Sequence, residues 1–223
     1  MKLICDENNF KHNFLLGEID LKSDKEGRIF IIEDSVLHVV MVYTFSRLSR
    51  LELESFVSRG FFVRDRAFGE NAVAAALEIS RGSYLHRARV GKSKRYDETF
   101  RSDKICFSDD KTLMEMFSCV KEELQESLRT IFDRDMELQV AQYDEGSFFE
   151  EHLDCVDEEG GRRLTCTWYI SGCAEGGELV LKQEDVIAPI PDRLVVFNSK
   201  DVLHRVNPVK RGGPRIAITA WYH

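Results

Sequence analysis

Residues 136–143, Met136-Glu137-Leu138-Gln139-Val140-Ala141-Gln142-Tyr143, alternate apolar and polar side chains. Alternation with a period of two is typical of a β-strand that buries one face. Similar short apolar runs follow until the chain ends, separated by Gly, Asp and Pro residues that favour turns: 164–170, 178–182, 186–188, 193–197, 203–206 and 215–221. Short strands at this spacing indicate a β-sandwich or a barrel-like jelly roll.

Between residue 46 and these strands the chain is predicted to be mostly helical. From about residue 112 to 132, apolar residues recur every three or four positions and predict a helix with one buried stripe. Asp109 and Asp110 stand where its N-cap belongs. Shorter helices are predicted at 51–57 and 70–79. Helices first and strands later predict an α+β fold in which N-terminal helices brace one sheet.

The first 45 residues form a predicted β-rich extension, and residues 46–223 form the predicted main domain. Two runs rich in β-branched residues, 28–32 and 36–43, are separated by Glu33-Asp34-Ser35. This pattern predicts a β-hairpin with its turn at those three residues.

Composition excludes several classes of protein. Hydrophobic residues make up 43% of the 223 residues, too many for a disordered chain. The net charge of −8 disfavours a nucleic-acid or anionic-membrane partner. No apolar run is long enough to span a bilayer, and the N-terminus lacks a signal-peptide pattern. Six cysteines without a CxxC motif favour reduced thiols, and we therefore expect a cytoplasmic protein, or a nuclear one in a eukaryote.

Among the six histidines, only His152 is followed two residues later by a carboxylate, that of Asp154. On a strand, residues i and i+2 point to one face, so these two side chains could share one metal ion. His204 lies in a later predicted strand of the same sheet. Two imidazoles and one carboxylate form the facial triad of non-haem Fe(II) oxygenases. A single His-x-Asp motif occurs close to chance in a chain of this size, so the neighbouring residues decide whether it indicates a metal site.

Polar residues on the neighbouring strands favour a site for a small anion. Arg215 begins the last predicted strand, where its guanidinium could clamp a carboxylate with two hydrogen bonds. Thr219 points to the same face as Arg215, and Tyr143 and Tyr169 place polar tips on otherwise apolar strands. Such convergent polar groups are typical of a small-ligand pocket.

These residues belong to motifs that resemble those of the 2-oxoglutarate/Fe(II)-dependent dioxygenases. The resemblance is strongest to the prolyl-hydroxylase branch, which includes the hypoxia-inducible-factor prolyl hydroxylases and their bacterial and protist relatives. It covers about residues 46–223 and is most specific from residue 143 onward. The motifs are Tyr143-x-x-Gly146-x-x-Phe149-x-x-His152-x-Asp154, Gly176-Gly177-Glu178-Leu179, Asp192-Arg193-Leu194-Val195-Val196-Phe197, His204-x-Val206-x-Pro208-Val209 and Arg215-Ile216-Ala217-Ile218-Thr219-Ala220-Trp221-Tyr222.

The resemblance implies a double-stranded β-helix fold and an oxygenase reaction. It implies Fe(II) bound by His152, Asp154 and His204, with O₂ and 2-oxoglutarate as cosubstrates and ascorbate as a candidate reductant. The reaction would hydroxylate a substrate and decarboxylate 2-oxoglutarate to succinate.

The resemblance also implies roles in binding the cosubstrate. Arg215 would pair with the distal carboxylate of 2-oxoglutarate, helped by Tyr169 and Thr219. Tyr143 would line the cosubstrate or substrate pocket.

The substrate implied by the resemblance is a protein, modified most readily at proline. Arg101 and Asp103 could contact this substrate or form a structural ion pair. Lys92, Lys94 and Arg95 could meet an acidic peptide or belong to a solvated loop.

Other functions stay open from the sequence alone. The same chemistry could act on a free amino acid or another small molecule, and a wide polar entrance would favour a protein instead. A catalytically inactive binding module would be free to lose part of the triad or the clamp, and both are complete here. A cupin-like protein with another metal would have no need of Arg215. The acidic net charge disfavours a nucleic-acid demethylase.

Overall fold

The structure is a computed structural model. It describes residues 45–90, 95–155 and 161–223 in full, together with the backbone of five strands nearer the N-terminus. The chain divides into two units, Met1–Thr44 and Phe45–His223. That the first 45 residues extend a catalytic domain of residues 46–223 stays a prediction. Lys92 and Lys94 of the predicted basic loop lie outside the described residues.

The first unit contains two small antiparallel sheets. Strand β1 (Asn13–Phe14) pairs with β2 (Gly17–Glu18), and a second sheet has the order β3 (Lys22–Ser23), β4 (Arg28–Glu33) and β5 (Val36–Met41). Glu33 lies opposite Val36, so the two strands of the predicted hairpin are confirmed. Glu33, predicted as the first turn residue, is instead the last residue of β4. The other predicted turn residues, 34–35, and the predicted strand end at 42–43 lie outside the described residues.

The second unit has its helices before most of its strands, as predicted. Its elements, in chain order, are α1 (Arg50–Arg59), β6 (Phe61–Asp65), α2 (Glu70–Gly82), β7 (His86–Arg87), β8 (Lys104–Phe107), α3 (Lys111–Leu128), β9 (Glu137–Tyr143), β10 (Phe149–His152), β11 (Leu164–Ser171), β12 (Glu175–Gly176), β13 (Leu179–Leu181), β14 (Asp185–Ile187), β15 (Arg193–Asn198), β16 (His204–Val206), β17 (Val209–Arg211) and β18 (Arg215–Tyr222).

Two antiparallel sheets form the jelly roll of this unit. The larger sheet has the strand order β6-β15-β11-β18-β9-β8-β7, and the smaller has the order β10-β16-β13-β14. Several neighbouring strands, such as β11 and β18 or β10 and β16, come from distant parts of the chain, which is typical of jelly-roll topology. The predicted α+β fold, a double-stranded β-helix, is confirmed.

Strand β11 shows how the larger sheet separates two environments. Its side chains alternate, and seven of its eight residues are buried because both faces are covered. Trp168 packs edge-on against Phe68 at a centroid distance of 4.9 Å, and it also contacts Phe117 of α3. Thr167 lines a cavity on the opposite face, between the two sheets. The helices therefore brace one face of this sheet and leave the other face for the site.

Helix α3 begins as predicted but ends earlier. The Asp110 side chain caps its N-terminus by accepting a hydrogen bond from the Leu113 amide at 3.1 Å. The sequence pattern predicted a helix to residue 132, and this was wrong, because Arg129 takes a left-handed conformation and closes the helix after Leu128. Phe132 still packs, 5.3 Å from the ring of Tyr222. The apolar residue Phe132 therefore reflects burial of its side chain and not a continuation of the helix.

The five described cysteines form no disulfide with one another, and reduced thiols stay a prediction. Among the described residues, no helix is long and apolar enough to cross a membrane.

Candidate functional site

Two facing strands bring the predicted triad together. His152 is the last residue of β10 and His204 the first of β16, and the two are direct partners across this antiparallel pair. Asp154 lies two residues beyond the end of β10, so the expectation that it shares a strand face with His152 was wrong. The chain instead turns after the strand and returns the carboxylate to the imidazoles.

The distances in the triad fit a single metal ion. Nε2 of His152 lies 3.7 Å from Oδ1 of Asp154, and Nε2 of His204 lies 3.6 Å from Oδ2. One ligand atom from each residue falls within 4.8 Å of the others. Two neutral imidazoles and a carboxylate are the ligand set expected for non-haem Fe(II).

Hydrogen bonds orient each member of the triad. Nδ1 of His152 lies 2.7 Å from the Glu150 carbonyl oxygen, and Nδ1 of His204 lies 3.0 Å from that of Val202. When Nδ1 carries the proton that these carbonyls accept, each Nε2 keeps a lone pair facing the centre of the triad.

The Asp154 carboxylate is fixed by two donors. Nε1 of Trp221 and Oγ1 of Thr165 donate to Oδ2 at 2.9 and 2.7 Å. Because both donors use the same oxygen, Oδ1 is left for a metal. Oγ1 of Thr165 also lies 2.8 Å from the Ser199 hydroxyl, which ties this support to β15 and the turn after it.

The electrostatics of the triad favour its ligand form. Burial lowers the pKa of His152, and the neighbouring His204 adds to the lowering, so the imidazole stays neutral. Burial alone would raise the pKa of Asp154, but the two imidazoles and the donors Trp221 and Thr165 hold it below its ordinary value. A neutral imidazole and an ionised carboxylate are the protonation states that bind metal.

Arg215 is a buried cation without a built-in anion. It is 2% exposed, and its guanidinium lies 4.6 and 4.9 Å from the ring centroids of Tyr143 and Tyr169. No described carboxylate forms an ion pair with it. Nε of Arg215 and the hydroxyl of Tyr169 are buried without a hydrogen-bond partner among the described residues. Burial raises the pKa of Tyr169, although the charge of Arg215 opposes this, so the phenol is neutral and can donate.

The triad and Arg215 share one inner cavity, of about 50 Å³. A buried charge is costly unless an anion and hydrogen bonds compensate it. The residues therefore fit a dicarboxylate whose far end meets Arg215 and whose near end reaches the triad. Tyr143 and Thr219, both predicted from sequence, line this cavity too, but Thr219 is four residues along β18 from Arg215.

Gly177 brings the backbone against the clamp. It has a φ of +68°, and a Cβ there would lie 2.7 Å from Sγ of Cys173 and 3.2 Å from Cδ of Arg215. Only glycine combines this conformation with so close an approach. The Gly176-Gly177 motif therefore shapes the wall beside the guanidinium.

Arg101 and Asp103 form the structural ion pair that the sequence left as one of two alternatives. Nε and Nη2 of Arg101 donate to the two carboxylate oxygens of Asp103 at 2.7 and 2.6 Å, and both side chains are buried. Arg101 also lies 4.0 Å from the ring centroid of Phe149 and lines the inner cavity. Contact of either residue with a substrate stays a prediction.

An outer cleft of about 740 Å³ opens beside the triad. Arg101, Gln139, Phe149, His152, Asp154 and Trp221 line both this cleft and the inner cavity. Its other lining residues are His86, Arg89, Val90, Phe100, Ile105, Phe107, Leu153 and Arg162. Asp154 is the one carboxylate among these lining residues, and the lining residues Arg101 and Arg162 are paired with Asp103 and Glu137.

Sequence reasoning missed three contributors to the site: Thr165, Gln139 and Trp221. Trp221 is 5% exposed, and its indole also holds Asp154. Strand periodicity could have found it, because Trp221 follows Arg215 and Thr219 on the same face of β18. Counting in steps of two along β11 from Tyr169 reaches Thr165 in the same way.

Comparisons with known proteins agree with this geometry. Residues 138–223 match the sequence model of the 2OG-Fe(II) oxygenase superfamily. This segment is similar to a 2OG-Fe(II) oxygenase domain. It contains the triad and Arg215, so the predicted class of enzyme, an iron- and 2-oxoglutarate-dependent dioxygenase, is confirmed. No curated protein matches the sequence.

Several solved structures share the fold of this oxygenase. A Pseudomonas putida prolyl-4-hydroxylase superposes with a TM-score of 0.65 at 24% identity, covering 78% of this chain and 97% of the other. A Trichoplax adhaerens prolyl hydroxylase, in complex with a peptide from the oxygen degradation domain of hypoxia-inducible factor, has a TM-score of 0.60 at 20% identity, covering 77% and 86%. The viral collagen prolyl hydroxylase of Paramecium Bursaria Chlorella virus-1 has a TM-score of 0.58 at 17% identity, covering 74% and 96%.

Proposed function

We propose that this oxygenase hydroxylates a protein substrate, at proline, while it converts 2-oxoglutarate to succinate. The observation that carries the proposal is the buried guanidinium of Arg215, which faces the triad's cavity without a carboxylate partner from the described chain. Bound Fe(II) supplies the oxidising chemistry with O₂ and 2-oxoglutarate, and the protein positions the reactants.

The chain's own residues have separate tasks in this proposal. His152, Asp154 and His204 hold the metal through Nε2, Oδ1 and Nε2. Arg215 and the Tyr169 hydroxyl bind the distal carboxylate, and Tyr143 closes the cavity over the guanidinium. Because Arg215 is almost fully buried, its hydrogen bonds to a carboxylate would be shielded from water and strong.

The outer cleft supports a protein substrate rather than a free amino acid. It is far larger than the inner cavity, and its rim is open, since the side chain of Phe107 is 57% exposed. Aromatic and cationic side chains line it, including Phe100, Phe149 and Arg89. Structural neighbours that are prolyl hydroxylases, one of them bound to a peptide, favour proline as the modified residue.

The test is mass spectrometry of a proteome treated with the purified protein. With Fe(II), 2-oxoglutarate and O₂, we expect peptides that gain one oxygen atom on proline and a matching amount of succinate. The His152→Ala variant is the control and should give neither. Succinate formation that depends on small molecules alone, without modified peptides, would favour the alternative of a free amino acid or another small substrate.

A further inference from the structure

The turn between β15 and β16 comes directly before the candidate metal ligand His204. It consists of residues 199–203, and we call it the supporting turn. Two hydrogen bonds to Asn198 close it: the side-chain Oδ1 accepts from the Lys200 amide at 2.9 Å, and the main-chain oxygen accepts from the Val202 amide at 3.1 Å. An Asn side chain that bonds the backbone two residues on is typical of a tight turn with a fixed shape.

Ser199, the first residue of the supporting turn, has a buried hydroxyl that reaches toward the triad. The residue is 0% exposed, and its Oγ lies 2.8 Å from Oγ1 of Thr165. Oγ1 of Thr165 in turn donates to Oδ2 of Asp154 at 2.7 Å. The three groups therefore form one chain of hydrogen bonds that ends on the carboxylate of the triad.

The chemistry of these groups fixes the direction of the hydrogen-bond chain. A carboxylate that binds a metal is ionised and can only accept, so Thr165 must donate its single hydroxyl proton to Asp154. The Thr165 oxygen can then only accept from its other neighbour, which makes Ser199 the donor. The proton of Ser199 thus holds the Thr165 hydroxyl in the rotation that points at Oδ2. Each bond in such a chain polarises and strengthens the next.

The backbone of Ser199 gives Asp154 a second support. The Ser199 carbonyl oxygen accepts a hydrogen bond at 3.2 Å from the amide of Cys155, the residue directly after Asp154. The Ser199 amide donates at 3.0 Å to the carbonyl of Arg163, the residue directly before β11. The supporting turn is therefore bonded both to the chain beside the ligand and to the strand that carries Thr165.

The other end of the supporting turn orients His204. The carbonyl oxygen of Val202 lies 3.0 Å from Nδ1 of His204 and accepts its proton when Nε2 faces the metal. Asp154 follows β10, whereas His204 begins β16, and one short turn holds both. A displacement of this turn would move two metal ligands together.

We propose that the supporting turn positions two of the three metal ligands, and that Ser199 is a positioning residue for the metal. By donating to Thr165, its hydroxyl keeps Oδ2 of Asp154 engaged and so reserves Oδ1 for the ion. The inference rests on the proposed function for the presence of a metal at the triad, but it does not depend on which substrate is hydroxylated. It adds a residue that contacts neither the metal nor a substrate.

The test is a double-mutant cycle on the full chain, with the Kd for Mn(II) measured by calorimetry and without turnover. Ser199→Ala should raise this Kd about threefold to tenfold, because the hydrogen-bond chain loses its first donor. Thr165→Val should raise it about tenfold or more, since the direct donor to Asp154 is gone. If Ser199 acts through Thr165, the double variant should bind Mn(II) as weakly as Thr165→Val alone, and no more weakly.

Ser55→Ala is the matched control. The Ser55 hydroxyl donates to the Phe61 carbonyl at 2.8 Å, and neither residue lines the inner cavity or the outer cleft. This variant also loses one hydroxyl hydrogen bond, but its Kd for Mn(II) should equal that of the wild type. Unfolding temperatures measured without metal separate lost stability from lost affinity. Should Ser199→Ala fail to fold, Ser199→Cys keeps a weaker donor, and its Kd should lie between those of the wild type and Thr165→Val.

The outcomes separate this inference from the proposed function. If wild-type protein binds Mn(II) and Ser199→Ala binds it equally well, Ser199 does not position the ligands and the proposed function stands. An equal loss from Ser199→Ala with and without the Thr165 hydroxyl would also overturn the inference, since Ser199 would then act by another route. Wild-type protein that binds no Mn(II) would overturn both.

Discussion

The two ends of the inner cavity differ in how far the protein satisfies its own polar groups. At the metal end, Oδ2 of Asp154, the carboxylate oxygen not left for the metal, has hydrogen-bond partners, and so do the Nδ1 atoms of both histidines. At the clamp end, Nε of Arg215 and the Tyr169 hydroxyl have none among the described residues. The metal end is oriented in advance, because a metal needs fixed ligands, whereas the clamp end is left for an anion to complete.

Removing the carboxylate of the metal end should have the largest effect. Asp154→Ala deletes one of three ligands and also leaves the Trp221 and Thr165 donors without their acceptor. We expect metal-dependent succinate formation to fall below detection, and calorimetry should show no tight Mn(II) binding. Retained metal binding in this variant would show that the triad is not the metal site.

Removing the cation of the clamp end should come next. Arg215→Met keeps a similar volume but loses the charge-assisted pair, so the Kd for 2-oxoglutarate should rise about 100-fold. The unfolding temperature of the ligand-free variant should stay equal or rise, because an uncompensated buried charge is gone. Arg193→Met is the control: Arg193 already pairs with Asp65, at 2.9 Å from its Nη2, so cosubstrate affinity should not change.

The two tryptophans allow a finer test of the metal end. Trp221→Phe removes the donor to Asp154, and we expect metal affinity to fall about 10–100-fold, the usual cost of an outer-shell partner. Trp168→Phe is matched, since Trp168 donates instead to Asp192 at 3.0 Å, on the helix side of the sheet. It should lower stability and leave metal affinity unchanged. Equal metal affinity in both variants would show that the indole of Trp221 does not orient Asp154.

Lowering the pH should reduce the stability of the metal-free protein, because protonation of a buried imidazole is unfavourable in the folded state. The pKa of His152 is lowered from 6.5, chiefly by burial, so the unfolded chain binds more protons than the folded chain below that pH. Stability of the metal-free protein should therefore fall as the pH drops below 6.5, by at most about 1.4 kcal/mol per pH unit from this residue. His152→Asn should flatten the decline measured by denaturant unfolding, and an unchanged slope would contradict the role of His152.

Much of this architecture could be predicted from sequence because it rests on local periodicity. Alternation in 136–143 and 215–221 anticipated β9 and β18 within a residue or so. Motif resemblance supplied His152, Asp154 and His204, which the structure brings together. The end of α3 was missed because the left-handed conformation of Arg129 leaves no signal in apolar spacing.

The partners of the site were harder to predict, because they depend on register between strands far apart in the chain. Thr167 and Thr219 are neighbours only through the pairing of β11 with β18, and Gln139 joins them only through β9. Periodicity gives the face of each strand but not the offset between strands. The position of Asp154 depended on a turn after β10, which the strand pattern did not contain.

Gly176 and Gly177 limit which substitutions this protein can accept during evolution. A Cβ at Gly176 would lie 2.1 Å from the carbonyl oxygen of Pro208, and both glycines have positive φ angles. At both positions even the smallest substitution, to alanine, requires the backbone to move. In a library covering every single substitution, active clones should almost always keep glycine at these two positions, although neither residue has a side chain that could bind a ligand.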